Sequence, residues 1–222
     1  MKSVWMAGLI LTAGTAFAAA PAAKPVAAVD LTDPAGDVQD QNGPGNDRDV
    51  VKLSLGSDGT SVLVTATLAA DEHGSMAGSV VDLYIDADDS VKTGGTAFWG
   101  KEAKPPKGGY DYLARLSVCM AWDENIGSCA GGPDVPPKSR HARVSIDQFN
   151  GAPGKELDMT NSTTLISGMG PAGAPFSGRV LQGKIPYATL DAKPGQVLRI
   201  AAREAGVAGL ESFFPDVLLA LK

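Results

Sequence analysis

Short runs in which apolar and polar residues alternate recur throughout this chain of 222 residues. The clearest lies at residues 80–86, VVDLYID, where Val, Leu and Ile alternate with Asp, Tyr and Asp. A two-residue period is typical of a β-strand that packs one face on a core and exposes the other. The same pattern predicts strands at Val50–Leu55, Ser61–Leu68, Tyr110–Met120, His141–Asp147, Gly178–Tyr187, Gln196–Glu204 and Ser212–Leu221, with a weaker pattern at Thr163–Ile166.

Turn signals separate these strands. The Asp58-Gly59 pair is typical of a hairpin turn, and Pro186 either ends its strand or places it at a sheet edge. Residues 188–190 are compatible with a short helical turn, and the last predicted strand is also compatible with a short helix. Many short strands without a long amphipathic helix predict a β-sandwich or a barrel. We expect an all-β fold, an antiparallel β-sandwich of the jelly-roll or immunoglobulin-like kind.

The first 29 residues have the composition of a targeting segment and a linker. Lys2 is followed by the apolar run Val4–Ala13 and by Ala16-Phe17-Ala18, which is typical of a bacterial Sec-type signal peptide and its cleavage site. The apolar run is too short to span a membrane. We therefore expect a signal peptide at residues 1–18, an Ala/Pro-rich flexible leader at 19–29, and one domain at 30–222 of a periplasmic or secreted protein.

Charge and cysteine content narrow the class of protein further. The formal net charge is −6, with no basic stripe, which argues against binding to nucleic acid or to an anionic membrane. The two cysteines, Cys119 and Cys129, predict a disulfide in an oxidising compartment. The alternative is a metal pair or a catalytic thiol, but neither His73 nor His141 stands at metal-ligand spacing from a cysteine.

Two Asp-rich stretches are the candidate metal sites. Asp86, Asp88 and Asp89 place three carboxylates within four residues, directly after the strand at 80–86 and before Thr93. Their mutual repulsion is costly unless a cation or solvent relieves it, and hard oxygen ligands suit Ca²⁺. The loop is not an EF-hand, because it lacks the glycine and the glutamate of that motif. The second stretch, residues 30–49, has six aspartates and no glutamate.

From the second stretch we select Asp33 and Asp37 as candidate ligands; the alternative is a solvated, turn-rich loop. Alternation places Asp111 on the face of its strand opposite Tyr110 and Tyr112. If that strand neighbours the one at 80–86, Asp111 lies beside the Asp86 loop and becomes a further oxygen ligand. The alternative for Asp111 is an ordinary surface position.

These strings together resemble a known group of binding domains. The likeness spans Asp30 to Leu221 and rests on a strand-to-loop string, a later Gly-Tyr-Asp-Tyr string and a Gly-Lys-Ile-Pro-Tyr string. They resemble the family 9 carbohydrate-binding modules and related DOMON-like sandwiches. The opening Asp-Pro-Ala-Gly-Asp is similar to the opening loop of the C-terminal binding domain of glucodextranase-type enzymes. The strings are Leu83–Asp88 with Thr93–Gly95, Gly109–Tyr112, Gly183–Tyr187 with Leu190 and Pro194-Gly195, and Asp33–Asp37 with Gly43–Gly45.

The resemblance implies a jelly-roll-like sandwich, structural Ca²⁺, and in some members a sugar slot lined by aromatic side chains. Asp86, Asp88, Thr93 and Asp111 stand where the resemblance implies a metal loop. Trp99, Trp122 and Tyr110 are the candidate sugar-stacking residues, since aromatic faces stack on sugar rings. The alternative for the tryptophans is core or rim packing.

We therefore expect a calcium-stabilised, carbohydrate-binding-like module without catalysis, whose partner is a glycan or another extracytoplasmic protein. The first alternative is a structural or protein-binding β-sandwich. The second is a glycan-active hydrolase with paired carboxylates, which is less favoured because the chain contains no G-x-S-x-G, H-E-x-x-H or P-loop motif.

Overall fold

The computed structural model describes residues 24–33, 49–69, 78–96, 108–119, 122–123, 128–129, 141–157, 160–166, 178–204 and 214–222. Within these ranges, twelve strands and one short 3₁₀ turn, Tyr187–Leu190, follow one another along the chain. None of the helical segments in the described residues has the length and hydrophobicity needed to cross a bilayer. The strands are β1 (Ala28–Thr32), β2 (Val50–Ser57), β3 (Ser61–Leu68), β4 (Gly78–Asp86), β5 (Tyr112–Cys119), β6 (Trp122–Asp123), β7 (Ser128–Cys129), β8 (His141–Phe149), β9 (Ser162–Ile166), β10 (Val180–Pro186), β11 (Val197–Glu204) and β12 (Val217–Ala220).

Two antiparallel sheets form the domain, which confirms the predicted all-β sandwich. One has four strands in the order β1-β2-β3-β10, and the other has six in the order β12-β11-β4-β5-β8-β9. Alternate apolar residues of both sheets meet in one core, because their period-two pattern directs them to one face of each strand. Leu53, Val64 and Leu181 come from the smaller sheet, and Ile85 and Leu198 from the larger.

Several predicted local features are confirmed. Gly59 adopts φ 93° in the β2–β3 turn, as a tight Asp-Gly hairpin requires. Pro186 is the last residue of β10, which lies at the edge of its sheet. The predicted helical turn near residue 188 is the 3₁₀ turn, and the last strand is β12 rather than a helix.

The N-terminal segment joins the two sheets, which corrects the predicted leader. Val26 N–H donates to Leu218 O at 2.8 Å, and Ala220 N–H donates to Val26 O at 2.8 Å. Directly after it, β1 pairs with β2, and Val29 packs against the core. The prediction of a flexible leader through Val29 is therefore wrong from Val26 onwards, because this segment finds backbone partners at the edge of β12. The predicted signal peptide lies outside the described residues.

Strand β4 is buried on both faces, which corrects the prediction of a half-buried strand. Asp82, Tyr84 and Asp86, assigned to the solvent side, are 4%, 0% and 0% exposed. Their face carries a second apolar cluster in which Tyr84 packs against Tyr110 at 5.7 Å between ring centroids. Tyr110 thus lies on the opposite face from Tyr112, and it precedes β5 rather than belonging to it.

A row of alternating charges crosses this second face. We call it the charged row: Arg203 of β11, Asp82 of β4, Arg115 of β5 and Asp147 of β8. Arg203 donates to Asp82 at 2.6 Å and Arg115 donates to Asp147 at 2.5 Å, while Arg115 Nε lies 4.0 Å from Asp82. Thr164 of β9 donates to Asp147 at 2.7 Å and ends the row. The side chains are stable at these buried positions because each carboxylate has a cationic neighbour.

Candidate metal centre

The carboxylates predicted to converge meet where β4 leaves the larger sheet. Asp86 is the last residue of β4 and is fully buried, whereas Asp88 follows on an exposed loop. Asp111 N–H donates to Ile85 O at 2.8 Å, which fixes Asp111 beside the end of β4. Its carboxylate accepts the Ala87 N–H at 2.8 Å. The prediction that Asp111 lies beside the Asp86 loop is therefore confirmed.

Asp86, Asp88 and Asp111 form what we call the acidic triad. One carboxylate oxygen from each residue lies within 4.8 Å of the oxygens of the other two. Three carboxylate oxygens at this spacing could hold a metal ion. All three donors are hard carboxylate oxygens, and no His or Cys belongs to the group.

Hydrogen bonds within the loop hold Asp88 in place. Its Oδ1 accepts the Ser90 N–H at 2.9 Å, and both of its oxygens accept from Thr93 Oγ1, at 3.0 and 2.9 Å. Asp86 Oδ1 accepts the N–H groups of Asp88 and Ser90 at 3.2 and 3.4 Å. Thr93 thereby orients the Asp88 carboxylate, and its predicted role as a metal ligand stays a prediction.

Two glycines allow the loop to approach the start of β5. Gly94 has φ 62°, and a Cβ there would lie 2.5 Å from Tyr110 O. Gly109 has φ 93°, and a Cβ there would lie 2.4 Å from Ser90 O. No side chain fits at either distance, so the Asp88 loop reaches Asp111 only because both positions are glycine.

Arg199 partly neutralises the triad from its buried side. Its Nε and Nη2 donate to Asp86 Oδ2 at 3.1 and 2.6 Å, and Nη2 also donates to Gly108 O at 2.6 Å. Its guanidinium carbon lies 4.8 Å from the ring centroid of Tyr110. Arg199 contacts the Asp86 member of the triad, and its Nη1 also lies 3.9 Å from Asp216 Oδ2. Among the described residues, the triad therefore retains a net negative charge when all three carboxylates are ionised. That surplus favours a bound cation.

Burial raises the pKa of the Asp111 carboxyl above its ordinary value, and the neighbouring charges of Asp88 and Asp86 add to the rise. The Ala87 N–H opposes this effect by donating to the carboxylate. The raised pKa means that placing a third negative charge at this position is unfavourable. A bound cation removes this penalty because it stabilises the ionised form.

Two of the other predicted metal ligands, Asp89 and Asp33, are not members of the triad. Asp89 is exposed on the same loop, with φ 54°, and is not a member of the group. Asp33 follows β1 in the other sheet, where its N–H donates to Val51 O at 3.2 Å, and it too is outside the group. Asp37 lies outside the described residues.

The predicted sugar-stacking aromatics have different outcomes. Tyr110 is fully buried between Tyr84 and Arg199, so its ring presents no face to solvent on which a sugar could stack. Trp99 lies outside the described residues. Trp122 belongs to β6, whose backbone pairs with β7, but its side chain is outside the described part of the chain.

The predicted disulfide between Cys119 and Cys129 stays a prediction. Cys119 is the last residue of β5, and Cys129 pairs with Trp122 across the small β6–β7 ladder. The side chains of both cysteines are outside the described part of the chain.

Sequence reasoning missed the role of the β11 arginines. Arg199 and Arg203 are four residues apart, and so are Asp82 and Asp86 on β4. In an antiparallel register this spacing sets each arginine opposite one aspartate, which is the observed pairing. The matched spacing of opposite charges in two predicted strands was the available signal.

Comparison of the chain with protein-family models, with curated proteins and with solved structures found no match in any of the three.

Proposed function

We propose that this protein is an extracytoplasmic, calcium-stabilised binding module of the carbohydrate-binding type, without catalytic activity. The observation that carries the proposal is the acidic triad at one end of the larger sheet. In the described part of the chain its three carboxylates outnumber the positive charges, since Arg199 contacts Asp86, and its oxygens are the ligands that Ca²⁺ prefers. The extracytoplasmic location rests on the signal-peptide pattern in the sequence.

Calcium in this role stabilises the loop that joins β4 to β5. Without a cation, Asp88 and Asp111 repel each other across this loop. With a cation, their oxygens have a common ligand, so the loop and the start of β5 are held together. Because Asp86 is buried and bound to Arg199, this chain's own residues hold one side of the triad rigidly. The expected consequence is a fold that is more stable with calcium than without it.

The convergence of the carboxylates favours cation binding over glycoside hydrolysis. One oxygen from each of three carboxylates lies within 4.8 Å of the other two, as a shared cation requires. Glycosidases instead use a pair of carboxyl groups that flank the scissile bond. Hydrolysis of a glycan by this protein, lost in Asp88→Ala while the fold is retained, would contradict the proposal.

The first test is thermal unfolding of the full chain in EDTA and in about 1 mM Ca²⁺. An affinity of about 10⁻⁴ M, typical of extracellular calcium modules, gives about 1.4 kcal/mol of stabilisation at this concentration. We expect the unfolding midpoint to rise by a few degrees, and to rise less with Mg²⁺. Identical unfolding curves in EDTA and Ca²⁺ would remove the metal from the proposal.

The second test is binding to a glycan array in Ca²⁺ and in EDTA. Specific binding supports the carbohydrate class, and loss of this binding in EDTA indicates that it depends on the triad.

An exposed edge strand favours the alternative of a protein partner. Strand β9 pairs with β8 on one side, and its Leu165 is 41% exposed. No binding on the array, with specific capture of a protein partner by β9, would select that alternative.

A further inference from the structure

A cavity of about 320 Å³ opens beside the acidic triad, within the usual size of small-molecule sites. Four segments meet around it: the loop after β4, the residue before β5, the end of β8, and the turns that lead from β10 to β11. Its lining includes Asp88, Asp111, Gln148, Phe149, Asp191 and Gln196.

Hydrogen-bond acceptors outnumber donors among the polar groups that line this cavity. Three carboxylates line it, from Asp88, Asp111 and Asp191, and among the lining residues that the structure describes there is no Lys or Arg. Gln148 adds one amide at an exposed position of β8. Anionic ligands are therefore disfavoured, whereas hydroxyl groups find several acceptors and one amide donor.

Two residues give the cavity a fixed shape. Gln196 donates to Ala87 O at 2.5 Å and accepts the Lys193 N–H at 3.1 Å, so its amide braces the β4 loop against the turn before β11. Asp191 ends the 3₁₀ turn in the left-handed region, at φ 48°. Its carboxylate is exposed at the mouth of the cavity, on a backbone held by the Ala192 N–H to Tyr187 O bond of 2.9 Å.

The cavity and the triad share two members. Asp88 and Asp111 belong to both, so a cation held by the triad borders the cavity. With the charge of these two carboxylates balanced, the cavity suits a neutral ligand rather than an amine. Phe149, which is half-buried, adds an apolar wall on which the C–H face of a sugar packs.

We propose that this cavity binds a small polyhydroxylated ligand of the saccharide class, and that its affinity is coupled to the cation at the triad. Gln148 and Asp191 bind hydroxyl groups, Phe149 packs against the ring, and Gln196 positions the wall. This inference rests on the proposed function, since it names the ligand site of the same module. The coupling is reciprocal: the saccharide raises the affinity for calcium by the factor by which calcium raises the affinity for the saccharide.

The test is isothermal titration calorimetry of the full chain with D-glucose, D-galactose, D-xylose and cellobiose, in Ca²⁺ and in EDTA. We expect at least one of these sugars to bind in Ca²⁺ and to lose about tenfold or more in affinity in EDTA. Asp191→Asn keeps a residue that tolerates the left-handed conformation and removes one charged acceptor. It should weaken sugar binding by about tenfold while calcium affinity changes less than about twofold.

The control is Asp89→Asn, which makes the same charge change on the exposed loop outside both sites and should leave both affinities unchanged. Absence of binding by all four sugars in Ca²⁺ would overturn the cavity assignment, and so would sugar binding that is unaffected by Asp191→Asn. Tighter binding of n-propylamine in EDTA than of any sugar in Ca²⁺ would overturn the ligand class. Calcium titration without sugar reports on the proposed function separately, so the two failures are distinguishable.

Discussion

Two groups of carboxylates on the larger sheet have opposite charge environments. In the charged row, Asp82 and Asp147 lie next to Arg203 and Arg115, so two negative charges meet two positive ones. In the acidic triad, the described residues set three carboxylates against one guanidinium, that of Arg199, which contacts Asp86. Within the described part of the chain the row is therefore balanced in charge, whereas the triad has a negative surplus that a metal ion could balance. Comparing the positive and negative charges around a carboxylate cluster thus distinguishes a balanced cluster from a candidate metal site.

The largest effect is expected in the charged row. Asp82→Asn removes the negative charge that Arg203, a residue 6% exposed, contacts at 2.6 Å. Removing one partner of a buried ion pair costs about 3–5 kcal/mol. Urea unfolding should show this loss equally in Ca²⁺ and in EDTA. A calcium-dependent loss would mean that the row and the triad are not separate units.

The next effect tests how the β4 loop reaches Asp111. Gly109 and Gly59 both have φ 93°, but a Cβ at Gly109 would lie 2.4 Å from Ser90 O, and a Cβ at Gly59 has nothing within 4 Å. Gly59→Ala should cost about 1 kcal/mol from backbone strain alone. Gly109→Ala should cost about 2–3 kcal/mol and should also weaken calcium binding, because the loop moves away from Asp111. Equal costs for the two variants would show that close approach at Gly109 is unimportant.

Asp88 and Asp89 are adjacent on the loop after β4, and the same substitution at each provides a matched pair of variants that tests the triad. Asp88→Asn removes a member of the triad, whereas Asp89→Asn removes the same charge one residue away, at a left-handed position that suits Asn. We expect Asp88→Asn to lose most of the calcium-dependent stabilisation of about 1.4 kcal/mol. Asp89→Asn should retain it. Calcium-dependent melting curves of the two variants and the parent check this result.

The sequence predicted much of the fold because most strands obey a period of two. The strands that became β2, β3, β4, β5, β8, β10, β11 and β12 all have alternating or continuous apolar residues that specify a core-facing side. The leader was mistaken for a free segment because its contacts with β12 are backbone hydrogen bonds, which leave no trace in residue type. Period alone also cannot tell an exposed polar face from one buried by ion pairs, which is why β4 was assigned only one buried face.

The triad could be predicted from the sequence, whereas the cavity could not. Asp86 and Asp88 are close in sequence, and Asp111 joins them through pairing of adjacent strands. Gln148, Asp191 and Gln196 come from segments that are brought together only by the order of strands in the two sheets. Tyr110 was misjudged as a stacking residue because the sequence does not show that Arg199 and Tyr84 cover its ring.

The smallest effect on stability is expected for Asp111→Asn in EDTA, and it contrasts most strongly with the loss expected in the charged row. Asp111→Asn removes a carboxylate whose ionisation is unfavourable, and the Asn oxygen still accepts the Ala87 N–H. In EDTA we expect its free energy of unfolding to lie within about 0.5 kcal/mol of the parent or above it, whereas the corresponding change in the row costs several kcal/mol. In Ca²⁺ the variant should lose most of the calcium-dependent stabilisation. A large loss of unfolding free energy in EDTA would show that Asp111 stabilises the fold without a cation, as the carboxylates of the charged row do.

The same residue sets the sign of the pH dependence. Burial and nearby charges raise the pKa of Asp111 above its ordinary 3.8, so the calcium-free folded state binds this proton more tightly than the unfolded chain. That contribution to stability is fully present below the ordinary pKa and is lost as the pH rises through the raised one. Calcium requires the ionised carboxylate, so calcium-dependent stabilisation should be largest at neutral pH and shrink as the pH falls through the raised pKa of Asp111. Melting curves of the parent and Asp111→Asn across this pH range measure the calcium-dependent stabilisation. If that of the parent does not change with pH, the Asp111 carboxylate takes no part in binding the cation.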